Sequence, residues 1–167
     1  MQTFLPYADF KKSAKVLDRS RLGKQRVEAK QIYETLTSKL SRWRNHPAVR
    51  MWKGYRDALA HYYNIMRSEW VERGYNNTMT PLVIYRDILY PTWFGDERLH
   101  KSHRANLLRK NPSYYRMYFD DYYNLDIDAP YFWPSGLMDT YRNKKMIEYW
   151  GEYKIGMDCL PDNLFEI

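Results

Sequence analysis

Asp18-Arg19-Ser20-Arg21-Leu22-Gly23-Lys24-Gln25-Arg26-Val27-Glu28-Ala29-Lys30-Gln31-Ile32-Tyr33-Glu34-Thr35-Leu36-Thr37-Ser38-Lys39-Leu40 is the stretch that decides the fold. Leu22, Ala29, Ile32, Tyr33, Leu36 and Leu40 recur at spacings of 3, 4 and 7, and Asp18 stands where an N-cap is wanted. This is the pattern of an amphipathic helix from about Ser20 to Leu40. Upstream, Asp9 can cap a shorter helical piece reaching Leu17. Downstream, Asn45-His46-Pro47 opens a second long pattern that runs to Gly74, with Trp52, Tyr55, Leu59, Tyr62, Met66 and Trp70 as its stripe. It predicts a helix on the order of 40 Å long, with Gly54 as the place for a bend.

Thr80-Pro81 opens a shorter apolar piece, Leu82 to Tyr90, that ends before Pro91. Asp96-Glu97 can start a further helix through Lys110, with Leu99, Leu107 and Leu108 apolar, and Asn111-Pro112 starts one last turn or two. From Asp120 the chain turns to Asp, Tyr and Pro, including Trp133-Pro134-Ser135-Gly136, and only Tyr141 to Tyr149 is weakly helical. The expected architecture is all-α: a compact helical domain of four or five helices around one long central helix, with an extended irregular C-terminal wrap. Residues 1–118 form the helical body, and the acidic, Tyr-rich residues 119–167 pack on that same domain.

Charge divides the chain at the same place. Residues 1–118 hold 23 Lys and Arg against 10 Asp and Glu, net +13, whereas residues 119–167 hold 4 against 10, net −6. A basic body suits a polyanionic partner, because each neutralised phosphate releases counterions. The 17 Tyr and 6 Trp can line a core with wet rims or stack on bases. No apolar run approaches the length of a membrane span, so no membrane partner is expected. Met1-Gln2-Thr3-Phe4-Leu5-Pro6-Tyr7 does not read as a secretory signal and the single Cys159 has no disulfide partner, so an intracellular setting is expected.

Three clusters can carry chemistry. On a helical wheel with Arg21 at zero, Gln25 falls at about +40°, Glu28 at about −20° and Lys24 at about −60°, against an apolar stripe from about +20° to +120°. Glu28 therefore stands at the edge of the buried face among cations, partly desolvated and also charge-compensated, opposed conditions common at working sites. A plain Lys24–Glu28 ion pair fits the same spacing. The second cluster is His103-Arg104-Ala105-Asn106-Leu107-Leu108-Arg109-Lys110-Asn111-Pro112-Ser113-Tyr114-Tyr115-Arg116-Met117-Tyr118, where cations alternate with Tyr and Asn111 can cap a helix start. It suits a phosphate track with a stacking platform, or a solvated basic face with its rings turned inward. The third, Arg42-Trp43-Arg44-Asn45-His46, precedes the long helix, whose backbone amides can receive a phosphate; an ordinary exposed loop reads the same way.

Metal and nucleophile signals are weak. Glu97 and His100 have the spacing of a di-iron helix, but the second such pair is missing. No glycine-rich phosphate loop occurs, no His stands near Cys159, and no metal or cofactor is expected.

In order along the chain, Arg21-Leu22 followed by Glu28, Val49 to Leu59 leading into Ile65 to Asn76, Arg104 with Leu107, and Pro112-Ser113-Tyr114-Tyr115-Arg116-Met117-Tyr118 resemble the pyrimidine dimer DNA glycosylases of the phage endonuclease V type. The opening Met-Gln-Thr-Phe-Leu-Pro-Tyr resembles a bacterial and viral branch of that family. The resemblance implies a base-excision repair enzyme that cleaves the N-glycosidic bond at a pyrimidine dimer and nicks the strand by β-elimination. It also implies a compact all-α fold, damaged double-stranded DNA as partner, no obligate protein partner, a monomer, and a location at nucleoid or viral DNA.

In the family an N-terminal amine attacks the sugar C1′ to form a Schiff base, a task suited to α-amino groups, which titrate near pH 8. The helix glutamate, matched by Glu28, stabilises the cationic sugar and moves protons. The catalytic set implied here is Glu28, Met1, Arg26 and Arg21. The DNA-contacting set is Lys24, Gln25, Arg42, Arg44, His46, His103, Arg104, Arg109, Lys110, Tyr114, Tyr115, Arg116 and Tyr118. Three departures stand out. Gln2 is large, so Met1 is expected to stay: either its amine is the nucleophile, or the lyase step is absent, or catalysis is lost. A family histidine is Arg21 here, and the arginine directly before the glutamate is replaced by Val27, with Arg26 one place earlier. Residues from about 119 onward have no counterpart, and their acidity can shield the basic face or serve as a structural wrap.

Overall fold

A computed structural model describes residues 1–38, 40–134 and 141–153. Among these residues the fold is all-α, with no strand. Its helices are α1 (Phe10–Val16), α2 (Arg19–Thr37), α3 (Pro47–Arg50), α4 (Arg56–Glu72), α5 (Glu97–Lys110), α6 (Pro112–Tyr115) and α7 (Tyr141–Trp150). Cys159 and the rest of the acidic end beyond Tyr153 lie outside the described residues, as do Ser135 and Gly136.

The caps expected from the sequence form. Asp9 accepts from the Lys12 N–H, Asp18 from Arg21 and Asp96 from Arg98, which start α1, α2 and α5. Leu22, Ala29, Ile32 and Tyr33 of α2 are buried, but the helix stops at Thr37, and Leu40, expected in its stripe, is 94% exposed.

The single long helix from Pro47 to Gly74 does not form. One turn, α3, is followed by turns through Gly54, whose φ of 86° cannot continue a right-handed helix, and α4 restarts at Arg56. At 17 residues α4 is about 25 Å long. The break lets Trp52 enter the core fully buried, edge-on to Trp93 at 5.0 Å, with its indole N–H donated to Thr3 Oγ1. α4 remains the central element and packs along α2. At the far end of that contact Gly23 admits the Trp70 ring, which lies 3.0 Å from where a Cβ would stand.

After Gly74 the chain runs extended and irregular to Asp96. The Leu82–Tyr90 piece is part of this ribbon, and α4 side chains satisfy its backbone in place of a neighbouring strand. Tyr63 donates to the Thr80 carbonyl and Arg67 to Met79, Asn64 bonds both backbone groups of Leu82, and Asp57 accepts from the Tyr85 N–H. Beyond α6, Phe119, Leu125, Ala129 and Phe132 are buried in an irregular path. α7 is tied to that path by the Trp150 indole on the Pro130 carbonyl and by Tyr149 on Asp126.

Candidate active site

Residues 2–6 form a buried extended segment with no neighbouring strand, so its polar groups must find side chains. The Gln2 N–H donates to Glu28 Oε2 (3.1 Å), Thr3 to Gln2 Oε1 (2.9 Å), Phe4 to Gln25 Oε1 (2.9 Å) and Leu5 to His103 Nδ1 (2.8 Å). His100, whose Nε2 accepts from the Gly95 N–H, is thereby fixed in the tautomer that donates from Nδ1 to the Leu5 carbonyl. Arg104 donates to the Pro6 carbonyl, and the Tyr62 hydroxyl lies 2.9 Å from the Phe4 carbonyl.

That arrangement corrects four expected DNA contacts. Gln25 is fully buried between the Phe4 amide and the Tyr62 hydroxyl, and its wheel position inside the apolar stripe already carried that signal. His103 is fully buried, and burial with His100 as neighbour pushes its pKa down to about 3, so it is neutral. Arg104 is 7% exposed and is held by Glu97, Asp121 and Pro6. Tyr115 is fully buried with its hydroxyl on Asp18 Oδ2 at 2.9 Å. All four are engaged by partners inside the fold. His100 and Glu97 are likewise engaged within the fold, and no cluster of three or more possible metal ligands occurs among the described residues.

The other end of the segment opens to solvent. Met1 and Glu28 line one recess of about 460 Å³ with Gln31, Glu34, Thr35, Ser38, Ser41 and Trp43. Successive backbone nitrogens are less than about 4 Å apart, so the Gln2–Glu28 bond puts the Met1 amine within about 7 Å of the carboxylate. His46 stands beside that amine; burial, and secondarily the amine's charge, lower its pKa. His46 Nδ1 also accepts from the Ala48 N–H, which occupies an amide expected to be free for a phosphate.

A second recess of about 600 Å³ meets the first at Glu28 and Gln31 and is lined further by Arg19, Ser20, Gly23, Lys24, Val27 and Trp70. Its surroundings are cationic. The Lys110 pKa is lowered first by burial and then by Arg109, Arg21 and Lys24, with Glu28 acting in the opposite sense. Arg21 is held by Asp18 at 3.2 Å, one helical turn from Lys24. Tyr131, which packs against Phe4, His103 and Trp133, feels the same charges. Burial raises its pKa to about 12, with Arg109 and Arg21 opposing and Glu28 reinforcing. It lies in the irregular segment after α6, where no periodicity marks it.

Arg26 faces elsewhere. Two residues from Glu28 is about 160° around the helix, and its guanidinium lies 4.0 Å above the Trp70 ring and bonds Asn77. Arg42 and Arg44 are exposed on a short 3-10 turn beside Trp43. Tyr114 and Tyr118 stack on each other at 4.6 Å, and Arg116, between them in sequence, is exposed. Asn111 makes no side-chain cap, and α6 is a single turn.

Sequence comparison bears directly on this recess. Over residues 1–81 the chain matches the pyrimidine dimer DNA glycosylase family. The match spans α1 to α4 and so contains the buried N-terminal segment, Glu28, Arg19, Arg21 and Arg26 of α2, and the 3-10 turn with Trp43. It bears out the resemblance drawn above to the pyrimidine dimer DNA glycosylases, a family whose name describes enzymes of DNA repair. No curated protein and no solved structure gives a match. No helix of the described residues is long and apolar enough to cross a membrane.

Proposed function

We propose that this protein is a DNA N-glycosylase acting on pyrimidine dimers in duplex DNA, with an AP-lyase step run from the amino terminus. The observation that carries the reading is the meeting of the Met1 amine and Glu28 in one recess inside the family-matched stretch. In the proposed reaction the neutral amine attacks C1′, and the N-glycosidic electron pair leaves with the base, which takes up a proton. Glu28 stabilises the positive charge that develops on the sugar and accepts the proton lost by the amine. The C1′–O4′ bond then breaks, its electron pair and the proton held by Glu28 going to O4′, which stays on C4′ as a hydroxyl, and C1′ becomes the iminium. Removal of a C2′ proton expels the 3′ phosphate, and water hydrolyses the adduct.

Arg21, Lys24, Arg109 and Lys110 supply the phosphate contacts next to Glu28, and Arg42, Arg44 and Arg116 extend them. Arg26 acts as a support for Trp70 instead of a catalytic group. Residues 119–134 and 141–153 serve as a wrap on the helical body.

Borohydride reduction on ultraviolet-irradiated duplex tests the proposal. A covalent adduct on the N-terminal peptide, abolished by acetylating the amino terminus, is the expected result. Its mass reports whether Met1 carries the sugar. Duplex binding with neither adduct nor base release would leave only a nucleic-acid-binding module.

A further inference from the structure

The irregular ribbon over residues 82–90 has two sides of different chemistry. Leu82, Ile84 and Ile88 are half-buried and pack against the core, whereas Val83 is 60% exposed, Tyr85 is 68% exposed, and Leu89 and Tyr90 also face solvent. Four of the thirteen large hydrophobic side chains exposed among the described residues thus fall within eight consecutive positions. Scattered apolar residues on a surface need no explanation, but a row of them marks a contact surface. The backbone points the same way. Asn64 and Asp57 of α4 satisfy Leu82 and the Tyr85 N–H, but the amides and carbonyls of Val83, Ile84 and Arg86 to Tyr90 bond to nothing among the described residues. Extended chain with free backbone groups and an outward apolar row is the kind of edge on which another chain docks.

The order of the exposed residues says what that chain is. Between the two apolar pairs the ribbon bends at Arg86, and Arg86 and Asp87 are exposed with no ion pair among the described residues. Taken from either end, the row runs from two apolar side chains through one charge to the opposite charge and on to two more apolar side chains. A two-fold axis between Arg86 and Asp87 therefore sets each arginine beside the partner's Asp87, with Val83 and Tyr85 beside the partner's Tyr90 and Leu89. The surface is complementary to itself in charge and in apolar character. Six side chains, each about half exposed, offer on the order of 600 Å² per copy, the low end for a specific interface, so the association is weak and concentration-dependent.

We propose that residues 83–90 form a self-association surface through which two copies of this chain make a two-fold dimer, Arg86 of each copy facing the partner's Asp87. This departs from the monomer that the family resemblance implies. No residue of the ribbon lines either recess, so the dimer stands or falls independently of the glycosylase reading.

Sedimentation velocity on the full chain, from about 1 to about 200 μM, tests the proposal. The average mass should rise with concentration from the 20.4 kDa of one chain towards twice that value. Leu89→Ser should weaken association roughly ten-fold by removing apolar contact on both sides of the axis. Arg86→Glu and Asp87→Lys should each weaken it by roughly as much, because each sets two like-charged pairs across the axis. Mixed in equal amounts, those two variants should associate about as tightly as the wild type. The introduced glutamate then meets the introduced lysine, and the remaining Asp87 meets the remaining Arg86. Misfolding of either variant, or a contact without two-fold symmetry, would not give that recovery. A full chain that keeps the mass of one copy throughout, or a mixture that associates no more tightly than either variant alone, would overturn the proposal. So would protection of the amides of residues 83–90 from hydrogen exchange in the monomer, which would mean that another part of the same chain covers them.

Discussion

The first turns of α2 and the run from His103 to Tyr118 contain the same kinds of residue, and the fold uses them in opposite ways. In α2 the cations Arg21 and Lys24 stay near solvent and surround Glu28, while Gln25 alone turns inward. In α5 and α6 it is His103, Arg104 and Tyr115 that turn inward, leaving Arg109, Lys110, Tyr114, Arg116 and Tyr118 for the surface. The difference is set by what each helix faces. The lone N-terminal segment presses its unpaired amides and carbonyls on the inner side of α5 and on Gln25, and buried backbone groups take whatever polar side chains reach them. A polar residue beside such a segment is structural, and the same residue one turn away is free for a ligand.

The strongest way to break this contrast is at Glu28, where both roles meet. Glu28→Gln retains an acceptor for the Gln2 N–H but not the charge. Base release should fall by about 10²–10⁴, with duplex affinity within a few fold, as measured by single-turnover kinetics and titration. Equal activity would remove Glu28 from the mechanism.

Arg104 and Lys110 form the next comparison. Arg104→Met should cost about 3 kcal/mol in urea unfolding, since it strands the Pro6 carbonyl and the Asp121 and Glu97 carboxylates. Lys110→Ala should leave stability unchanged to about 0.5 kcal/mol and lower the slope of log affinity against log salt by about 1. A salt-slope change from Arg104→Met in the folded protein would contradict the division.

Acid stability sharpens it further. His103 titrates at about 3 in the fold, well below the ordinary histidine value, and His100 is shifted in the same direction by burial. Below about pH 6.5 the unfolded chain takes up protons that the folded one refuses, so stability is complete above that pH and falls from there towards pH 3. Unfolding free energies from urea titration should decline by about 1.4 kcal/mol per pH unit for His103 over this window, with His100 adding to the loss in the same direction. His61→Gln, on a half-buried residue packed against Phe10, should leave most of that slope in place.

Much of the fold was legible because helices advertise themselves locally. The caps Asp9, Asp18 and Asp96 and the stripes of α2, α4 and α5 lie within a few residues of the groups they satisfy. The break at Gly54 was less legible, because the stripe continues through it: Trp52 fits the pattern of a longer helix and also fills the core beneath Thr3. At the site, Glu28 could be placed at the edge of the buried face from its wheel angle. Gln25 could have been read as buried from the same wheel. Trp43 could not be assigned to the recess, since it lies in a short turn, where spacing carries no directional information.

The sequence by itself determined the all-helical class, the places where α1, α2 and α5 begin, the uneven charge, and a carboxylate among cations on α2. These are properties of neighbouring residues, whose relative positions helical geometry fixes at once. Only the tertiary structure decided which polar residues are partners of the N-terminal segment and which remain for a ligand. The hydrogen bonds that separate the two groups join residues as far apart as Leu5 and His103, and the need to satisfy buried backbone groups arises only once the chain is folded.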